Sequence, residues 1–419
     1  MGMNQTPAAE RLHISFFGKR NSGKSSIINA VTGQELAIVS DVLGTTTDPV
    51  YKTMELLPIG PVMLIDTPGI DDEGELGALR VKKSYQVLNK TDVAVLVVDG
   101  CHGLSPEDEK LIERFVSKKI PYLVVCNKAD LVPDQAEQLT EQRMKKERSA
   151  DSDAVEVSHI WVSAKEKWNI WELKERIAAL GVKEENGKRI VADLLEPSDF
   201  VVLVVPIDKA APKGRLILPQ QQTIRDILDA GAVSIVVKED ELKNTLNQLG
   251  KKPRLVITDS QVFGKVSKDT PEDIMLTSFS ILFARYKGDL ENAVKGARAL
   301  DKIKDGDKIL IAEGCTHHRQ CGDIGTEKLP AWIEKYTGAK PEYVFTSGTE
   351  FPDDLSSYKL VVHCGGCMLN EREMKYRVAC ALDQKVPITN YGILIAYMNG
   401  ILKRSLEPFP NIFSVLSQE

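Results

Sequence analysis

Gly18-Lys19-Arg20-Asn21-Ser22-Gly23-Lys24-Ser25 follows the apolar run Leu12-His13-Ile14-Ser15-Phe16-Phe17 and leads into Ser26-Ile27-Ile28-Asn29-Ala30-Val31. The first run reads as a strand and the last as a helix. G-x-x-x-x-G-K-S therefore stands in the strand–loop–helix setting that a phosphate-binding loop requires. Gly18 and Gly23 free the backbone to wrap phosphates with N–H groups, and the helix start adds positive potential. Lys24 is placed to reach the β- and γ-phosphates and Ser25 to ligate Mg²⁺. Asn21, Ser22 and Ser26 complete the loop.

Other signals follow in order. Val62-Met63-Leu64-Ile65 reads as a strand ending in Asp66-Thr67-Pro68-Gly69. An acid at a strand end suits the Mg²⁺ shell, and Gly69 leaves room for a γ-phosphate. Pro121-Tyr122-Leu123-Val124-Val125 ends in Cys126-Asn127-Lys128-Ala129-Asp130, and Ile160-Trp161-Val162 leads to Ser163-Ala164-Lys165. N-K-x-D followed by S-A-K resembles the guanine-reading loops of the translation-factor-related GTPases. The resemblance implies that Asp130 accepts hydrogen bonds from guanine N1 and N2. It also implies that Asn127 and Lys128 brace loop and base, and that Ala164, beside Ser163, offers its N–H to O6. Adenine would leave the buried acceptors unpaired and be rejected.

Between the first two motifs, Gly44-Thr45-Thr46-Thr47-Asp48 resembles the G-T-T-x-D switch of the GTPase subgroup that includes the tRNA-modifying MnmE/TrmE. There Thr46 is expected to meet Mg²⁺ and the γ-phosphate. Ile70-Asp71-Asp72 supplies no glutamine to orient the attacking water, so slow intrinsic hydrolysis is expected. In the resembling subgroup a P-loop asparagine helps hold K⁺. Asn21 matches it, and K⁺-stimulated hydrolysis is the expectation. Lys24, Thr46, Asp66, Gly69 and Asn21 make up the expected catalytic set. Residues 71–80 read as a second switch and 135–153 as a solvated, charged helix and loop. A helix over 169–180 closes the domain, with Trp168 and Trp171 read as packing residues. Cys101 and Cys126 follow apolar runs and are read as core.

At 419 residues the chain calls for two or three domains. A charged content of 27% beside 42% hydrophobic residues describes a soluble globular protein. The net charge of −6 argues against nonspecific nucleic-acid binding, which needs a basic face. No apolar run approaches the roughly 20 residues that span a bilayer, and residues 1–11 hold no signal-peptide core. A cytoplasmic protein is expected, in which seven cysteines are not a disulfide framework.

Residues 181–189 read as a linker into a small α/β unit over 186–265. Its strands are Phe200-Val201-Val202-Leu203-Val204-Val205, Val233-Ser234-Ile235-Val236-Val237 and Arg254-Leu255-Val256-Ile257-Thr258, with helices over 220–230 and 242–249. Residues 208–215 lack the GK[ST] pattern and read as an exposed turn. A three-stranded sheet has open edges, so docking to a twin subunit is expected. In the last region, 266–419, residues 274–284 and 290–300 read as helices. Strands then end at Cys315, near Phe345-Thr346-Ser347, at Cys364 and near Thr389-Asn390, with helices over 328–336 and 371–382. The fold class is thus α/β: an N-terminal P-loop GTPase domain (TrmE/Era-like, 1–180), then two further α/β domains with mainly parallel sheets.

Lys308-Ile309-Leu310-Ile311-Ala312 runs into Glu313-Gly314-Cys315-Thr316-His317-His318, and Val361-Val362 into His363-Cys364-Gly365-Gly366-Cys367. As parallel strands of one sheet, the two runs bring Cys315, Cys364 and Cys367 to one edge, outside the carboxyl ends, where ligands bind in open α/β sheets. Three thiolates and nearby imidazoles are soft ligands for an iron–sulfur cluster or zinc. Softness, and the single C-x-x-C, favour iron–sulfur over a structural Cys₃His zinc site. His317 and His363 are the fourth-ligand candidates, with Glu and water as others. His318 reads as an exposed loop residue. Cys321 and Cys380 do not read as ligands.

C-x-H, a long spacer and H-C-x-x-C behind a GTPase resemble the HydF family, the GTPase maturases of FeFe-hydrogenase, over nearly the whole chain. The resemblance implies a 4Fe–4S cluster on Cys315, Cys364 and Cys367 and a homodimer through the middle domain. It also implies a diiron precursor carried as cargo, two radical-SAM partner enzymes, and apo-hydrogenase as recipient. A tRNA- or ribosome-directed GTPase with an accessory zinc site and a general iron–sulfur carrier are the alternative readings.

Overall fold

The computed structural model describes residues 6–33, 49–70, 74–134, 136, 159–181, 188–207, 216–314, 323–348 and 350–417. Thr46, Asp71, Asp72, the 208–215 turn, Cys315, His317, His318 and Cys321 lie outside them, as does nearly all of 135–153. The chain divides into two compact units, residues 1–186 and 187–419.

The first unit holds β1 (Leu12–Phe17), β2 (Val50–Leu56), β3 (Gly60–Asp66), β4 (Val93–Asp99), β5 (Tyr122–Asn127) and β6 (His159–Trp161). Their order is β2-β3-β1-β4-β5-β6, parallel except for the β2–β3 pair. The central strands are apolar at nearly every position because helices cover both faces. Ile27, Ile28 and Val31 of helix Lys24–Thr32 and Leu173 and Ile177 of helix Ile170–Gly181 pack on one face. Val87 and Leu88 of helix Gly74–Leu88 and Leu111 and Phe115 of helix Pro106–Ser117 pack on the other. A capping box of Ser105 and Asp108 starts the last of these helices.

The second unit holds two four-stranded, all-parallel sheets. One is built from β7 (Phe200–Val204), β8 (Val233–Val237), β9 (Leu255–Thr258) and β10 (Met275–Ser278), in the order β10-β9-β7-β8. The other is built from β11 (Lys308–Ala312), β12 (Glu342–Thr346), β13 (Leu360–His363) and β14 (Ile388–Asn390), in the order β12-β11-β13-β14. One continuous core takes side chains from both, including Leu203, Ile257, Ile311 and Val362. Helix Tyr391–Met398 is apolar all round because it is buried in that core, with Ile393, Leu394, Ile395 and Ala396 enclosed. Helix Leu290–Ala297 lies close on β14: a Cβ on Gly296 would stand 2.0 Å from the Ile388 carbonyl oxygen.

Here the structure corrects the sequence reading. The first of these sheets has four strands, not three, and its fourth lies beyond residue 265, where the middle domain was expected to end. Residues 274–284 are not one helix. Met275–Ser278 is a strand, and Ser278 then caps helix Phe279–Lys287 by accepting the Ile281 N–H. A four-residue buried parallel strand carries no alternation that would separate it from a helix. The serine cap was the overlooked signal. Two further expectations fail in the first unit: Cys101 is exposed, as are Trp168 and Trp171, whereas Cys126 is buried. Among the described residues no helix is long and apolar enough to cross a membrane.

Candidate functional sites

In the first unit β1 runs out at Gly18, whose φ of 140° and whose closeness to the Val97 carbonyl (2.2 Å from a built Cβ) leave room only for glycine. Asn21 turns the loop in the left-handed region (φ 58°), and Gly23 does so again (φ 94°) before the helix begins at Lys24. The Lys24 ammonium donates to the carbonyls of Gly18 (2.9 Å) and Lys19 (2.7 Å), which holds it over the loop. Ser25 Oγ donates to Asp66 Oδ2 at 2.6 Å. Asp66 Oδ1 is buried with no hydrogen-bond partner. Burial pushes the Asp66 carboxyl up, against the Ser25 hydrogen bond and the charges of Lys24 and Lys52. A hydroxyl against a carboxylate with one unused buried oxygen fits the donor set of Mg²⁺. Thr67 ties the next turn to β1 through Phe16 O (2.7 Å). Ser84 Oγ donates to Pro68 O (3.0 Å), just ahead of Gly69.

The guanine-reading loops are joined to the phosphate loop by one side chain. Asn127 Nδ2 donates to Ser22 O (3.0 Å), and Asn127 Oδ1 accepts the Ala164 N–H (3.1 Å). In this structure Ala164, expected to offer that N–H to guanine O6, gives it to Asn127. Asp130 Oδ1 accepts from Ser163 Oγ at 2.6 Å, and Ser163 Oγ accepts the Glu166 N–H. Lys128, at φ 66°, donates to Asp99 Oδ2 at 2.6 Å. Burial alone would raise the Asp99 carboxyl, but Lys128 and the Cys101 N–H outweigh it and hold it low. A Cβ on Gly23 would stand 2.1 Å from Asn127 Nδ2. Gly23→Ala should therefore break the clasp and lower GTP affinity by about five- to thirtyfold, about one to two kcal/mol, readable by calorimetric titration.

In the second unit the β12-β11-β13-β14 order reverses direction between β11 and β13. That is the topological switch point, the crevice where open parallel sheets bind ligands. β11 ends at Ala312 and β13 at His363, paired in register, and the Cys364 N–H extends the ladder by donating to Ala312 O (2.9 Å). Two amides point at the Cys364 sulfur: Gly314 N–H at 3.0 Å and Gly366 N–H at 3.4 Å. Gly366 adopts φ 62°, which lets the loop turn back so that Leu369 N–H meets Gly366 O. Burial pushes the Cys364 thiol up to about 11, opposed by those two amides and by Arg377. It raises the Cys367 thiol as well, opposed by Lys287. Glu313 is buried and accepts from Tyr391 Oη (3.3 Å). His363 is buried, and burial with the Arg377 charge holds its imidazole down at about 3. Cys380 lies on helix Glu371–Asp383 with its Sγ toward Asp353 O. Among the described residues no three His, Cys, Asp or Glu side chains are close enough together to hold a metal. The structure thus sets Cys364 and Cys367 within electrostatic reach of each other, with Gly314, the residue before Cys315, against the Cys364 sulfur.

Residues 190–288 match the hydrogen maturase F dimerization domain, and residues 291–408 match the hydrogen maturase F tetramerization domain. Together they take up more than half the chain. It belongs to the hydrogen maturase F (HydF) family. Residues 13–128 match the 50S ribosome-binding GTPase family, which makes the first unit of this maturase a P-loop GTPase domain that binds GTP and GDP. Over that region it is similar to the tRNA modification GTPase MnmE of Heliobacterium modesticaldum, 37% identical over 161 residues, 38% of this chain and 32% of the relative. It is also similar to GTPase Der of Clostridium kluyveri, 38% identical over 133 residues, 31% of this chain and 30% of the relative. The chain thus spans about a third of the length of these curated relatives. The GTPase Era of Aquifex aeolicus, solved with GDP and AlF4−, superposes with a TM-score of 0.35 at 20% identity, over 57% of this chain and 98% of that one.

Four residues escaped the sequence reading of this HydF-family chain. Asp99 ends an apolar strand just as Asp66 does, and that signal could have found it. Lys52 Nζ is enclosed without a hydrogen-bond partner within electrostatic reach of Asp66; nothing in its β2 setting announces it. Arg377 and Glu373 stand at i, i+4 on a helix, a spacing that reads as a surface pair, yet both are buried.

Proposed function

We propose that this chain is a GTP-hydrolysing scaffold that holds a 4Fe–4S cluster on Cys315, Cys364 and Cys367 and delivers a diiron precursor to apo FeFe-hydrogenase. The observation that carries the reading is the Cys364 sulfur at the β11/β13 switch point, faced by the N–H groups of Gly314 and Gly366. Amide N–H donors toward a sulfur stabilise a thiolate ligand and tune a cluster's potential. Cys315 is covalently next to Gly314, whose N–H faces the Cys364 sulfur. The cluster would supply an iron without a thiolate, and a weak fourth ligand suits a carrier that must release its cargo. The chain's own part is to present three sulfurs, exclude water with the buried wall of β11 and β13, and leave that iron accessible.

The test of this function is transfer. Protein co-expressed with the two radical-SAM partner enzymes should confer hydrogen evolution on apo-hydrogenase, and protein expressed without them should not. Equal failure of both preparations contradicts the delivery role.

On the GTPase side, Ser25 and Asp66 would hold Mg²⁺ with Thr46, while Lys24 meets the β- and γ-phosphates. Exposed Asn21 in its left-handed turn would help hold K⁺ beside the phosphates, supplying charge where no glutamine follows Gly69. Hydrolysis should run at least about tenfold faster in K⁺ than in Na⁺, and Asn21→Ala should abolish the difference. Equal rates in both salts contradict the K⁺ role. GTP state would act through the switch loops on partner docking or release. Self-association fits the dimerization and tetramerization domains, and edge strand β8 exposes Val233 and Val236.

A further inference from the structure

Arg377 is among the largest fully buried side chains of the described chain, with no exposed surface. A guanidinium enclosed in this way is stable only when its charge and its donors are met. Nε donates to Glu373 Oε1 (2.9 Å), Nη2 to Gly348 O (2.6 Å), and Nη1 reaches His363 Nε2 (3.0 Å). The cation lies over the Phe351 ring, 5.1 Å from its centre. Glu373, itself buried, balances the charge and is fixed by the Asn370 cap. One side chain therefore ties together the segment after β12, the end of β13 and the helix that follows.

Arginine has only donors. His363 Nε2 must then be the acceptor, which puts the ring proton on Nδ1. Nδ1–H in turn donates to Cys364 O at 2.7 Å. Both ring nitrogens of His363 are committed, one to Arg377 and one to the backbone of the cysteine loop. We propose that Arg377 is a positioning residue for the cysteine site, and that His363 is the strut through which it fixes the Cys364 turn rather than a ligand. The fourth position of the site is left to a group other than His363. Arg377 acts through its neighbour: its hydrogen bonds reach the loop by way of the imidazole. This assignment rests on the cluster-carrying reading for what Cys364 binds, while the strut itself is a property of the chain alone.

Two measurements separate these. In the cluster-free protein, alkylation of Cys364 by iodoacetamide, followed by peptide mass mapping, reports how firmly the turn is held. His363→Gln keeps an acceptor for Arg377 and a donor for the Cys364 carbonyl, and should react at the wild-type rate. His363→Ala and Arg377→Met should react faster, by about tenfold, as the turn opens and the thiol becomes accessible. If Arg377→Met does not fold, the two His363 variants carry the comparison. Wild-type rates in His363→Ala overturn the strut. In the reconstituted protein, pulsed EPR on histidine labelled with ¹⁵N should give the same nitrogen couplings for wild type and His363→Gln. A directly bonded imidazole coupling that disappears in His363→Gln with iron retained overturns the proposal. A wild-type protein that takes up no iron would refute the cluster-carrying reading, and the alkylation rates would still decide the strut.

Discussion

Asp130→Asn should move this GTPase from guanine to xanthine nucleotides. The carboxylate is held by Ser163 Oγ on Oδ1, in a loop that Asn127 clasps to the phosphate-binding turn. An ionised carboxylate only accepts, which suits the paired N1 and N2 donors of guanine. An amide replaces one acceptor with a donor that would face the guanine amino group, and it removes the charge that strengthens both bonds. Each hydrogen bond to a charged group is worth about 1.5–3 kcal/mol, so GTP affinity should fall by roughly two to four orders of magnitude. Xanthine carries a carbonyl where guanine carries the amino group, and the new donor meets it. Titration with fluorescent nucleotides reads both changes. Unchanged GTP affinity in Asp130→Asn would remove Asp130 from base recognition.

Cys364→Ala should reduce activation of apo-hydrogenase to background while leaving GTP hydrolysis at the wild-type rate. Cys364 sits at the end of the β13 ladder, and its sulfur takes the amides of Gly314 and Gly366. On the proposed cluster-carrying role, its loss leaves two of the three cysteine ligands. Altering even the outer partners of a metal site costs about 10–100-fold in metal affinity or activity, and loss of a ligand should exceed that. Hydrolysis is untouched because Lys24, Ser25, Asp66 and Asn127 all belong to the first compact unit. Hydrogen evolution after mixing with apo-hydrogenase, with phosphate release measured on the same sample, gives both readings. Full activation by Cys364→Ala contradicts the cluster role, and a parallel loss of hydrolysis points to a folding defect.

What could be read from the sequence is what local chemistry dictates. The phosphate loop was legible because Gly18 and Gly23 answer close approaches to Val97 O and Asn127 Nδ2 that no other residue tolerates. The parallel pairing of β11 with β13, which places Cys364 just past the strand ends, was legible because both are continuous apolar runs. β10 was not legible, because four residues, three of them buried, leading into a helix have no period of their own. Nor was the network of Arg377, Glu373 and His363, since burial of an i, i+4 charged pair is decided by tertiary packing. Trp171 and Cys101 were misjudged for the converse reason: aromatic and sulfur side chains read as core, but neither faces a packed layer.

The claim on which the rest turns is that inorganic iron and sulfide bind at the cysteine edge. Anaerobic reconstitution, with iron, sulfide and zinc quantified per chain and EPR recorded after reduction, tests it most directly. About four irons and four sulfides per chain, a reduced EPR signal, and loss of both in Cys315→Ala are the outcome expected of a three-cysteine 4Fe–4S site. A colourless protein that holds one zinc per chain and no sulfide would contradict it.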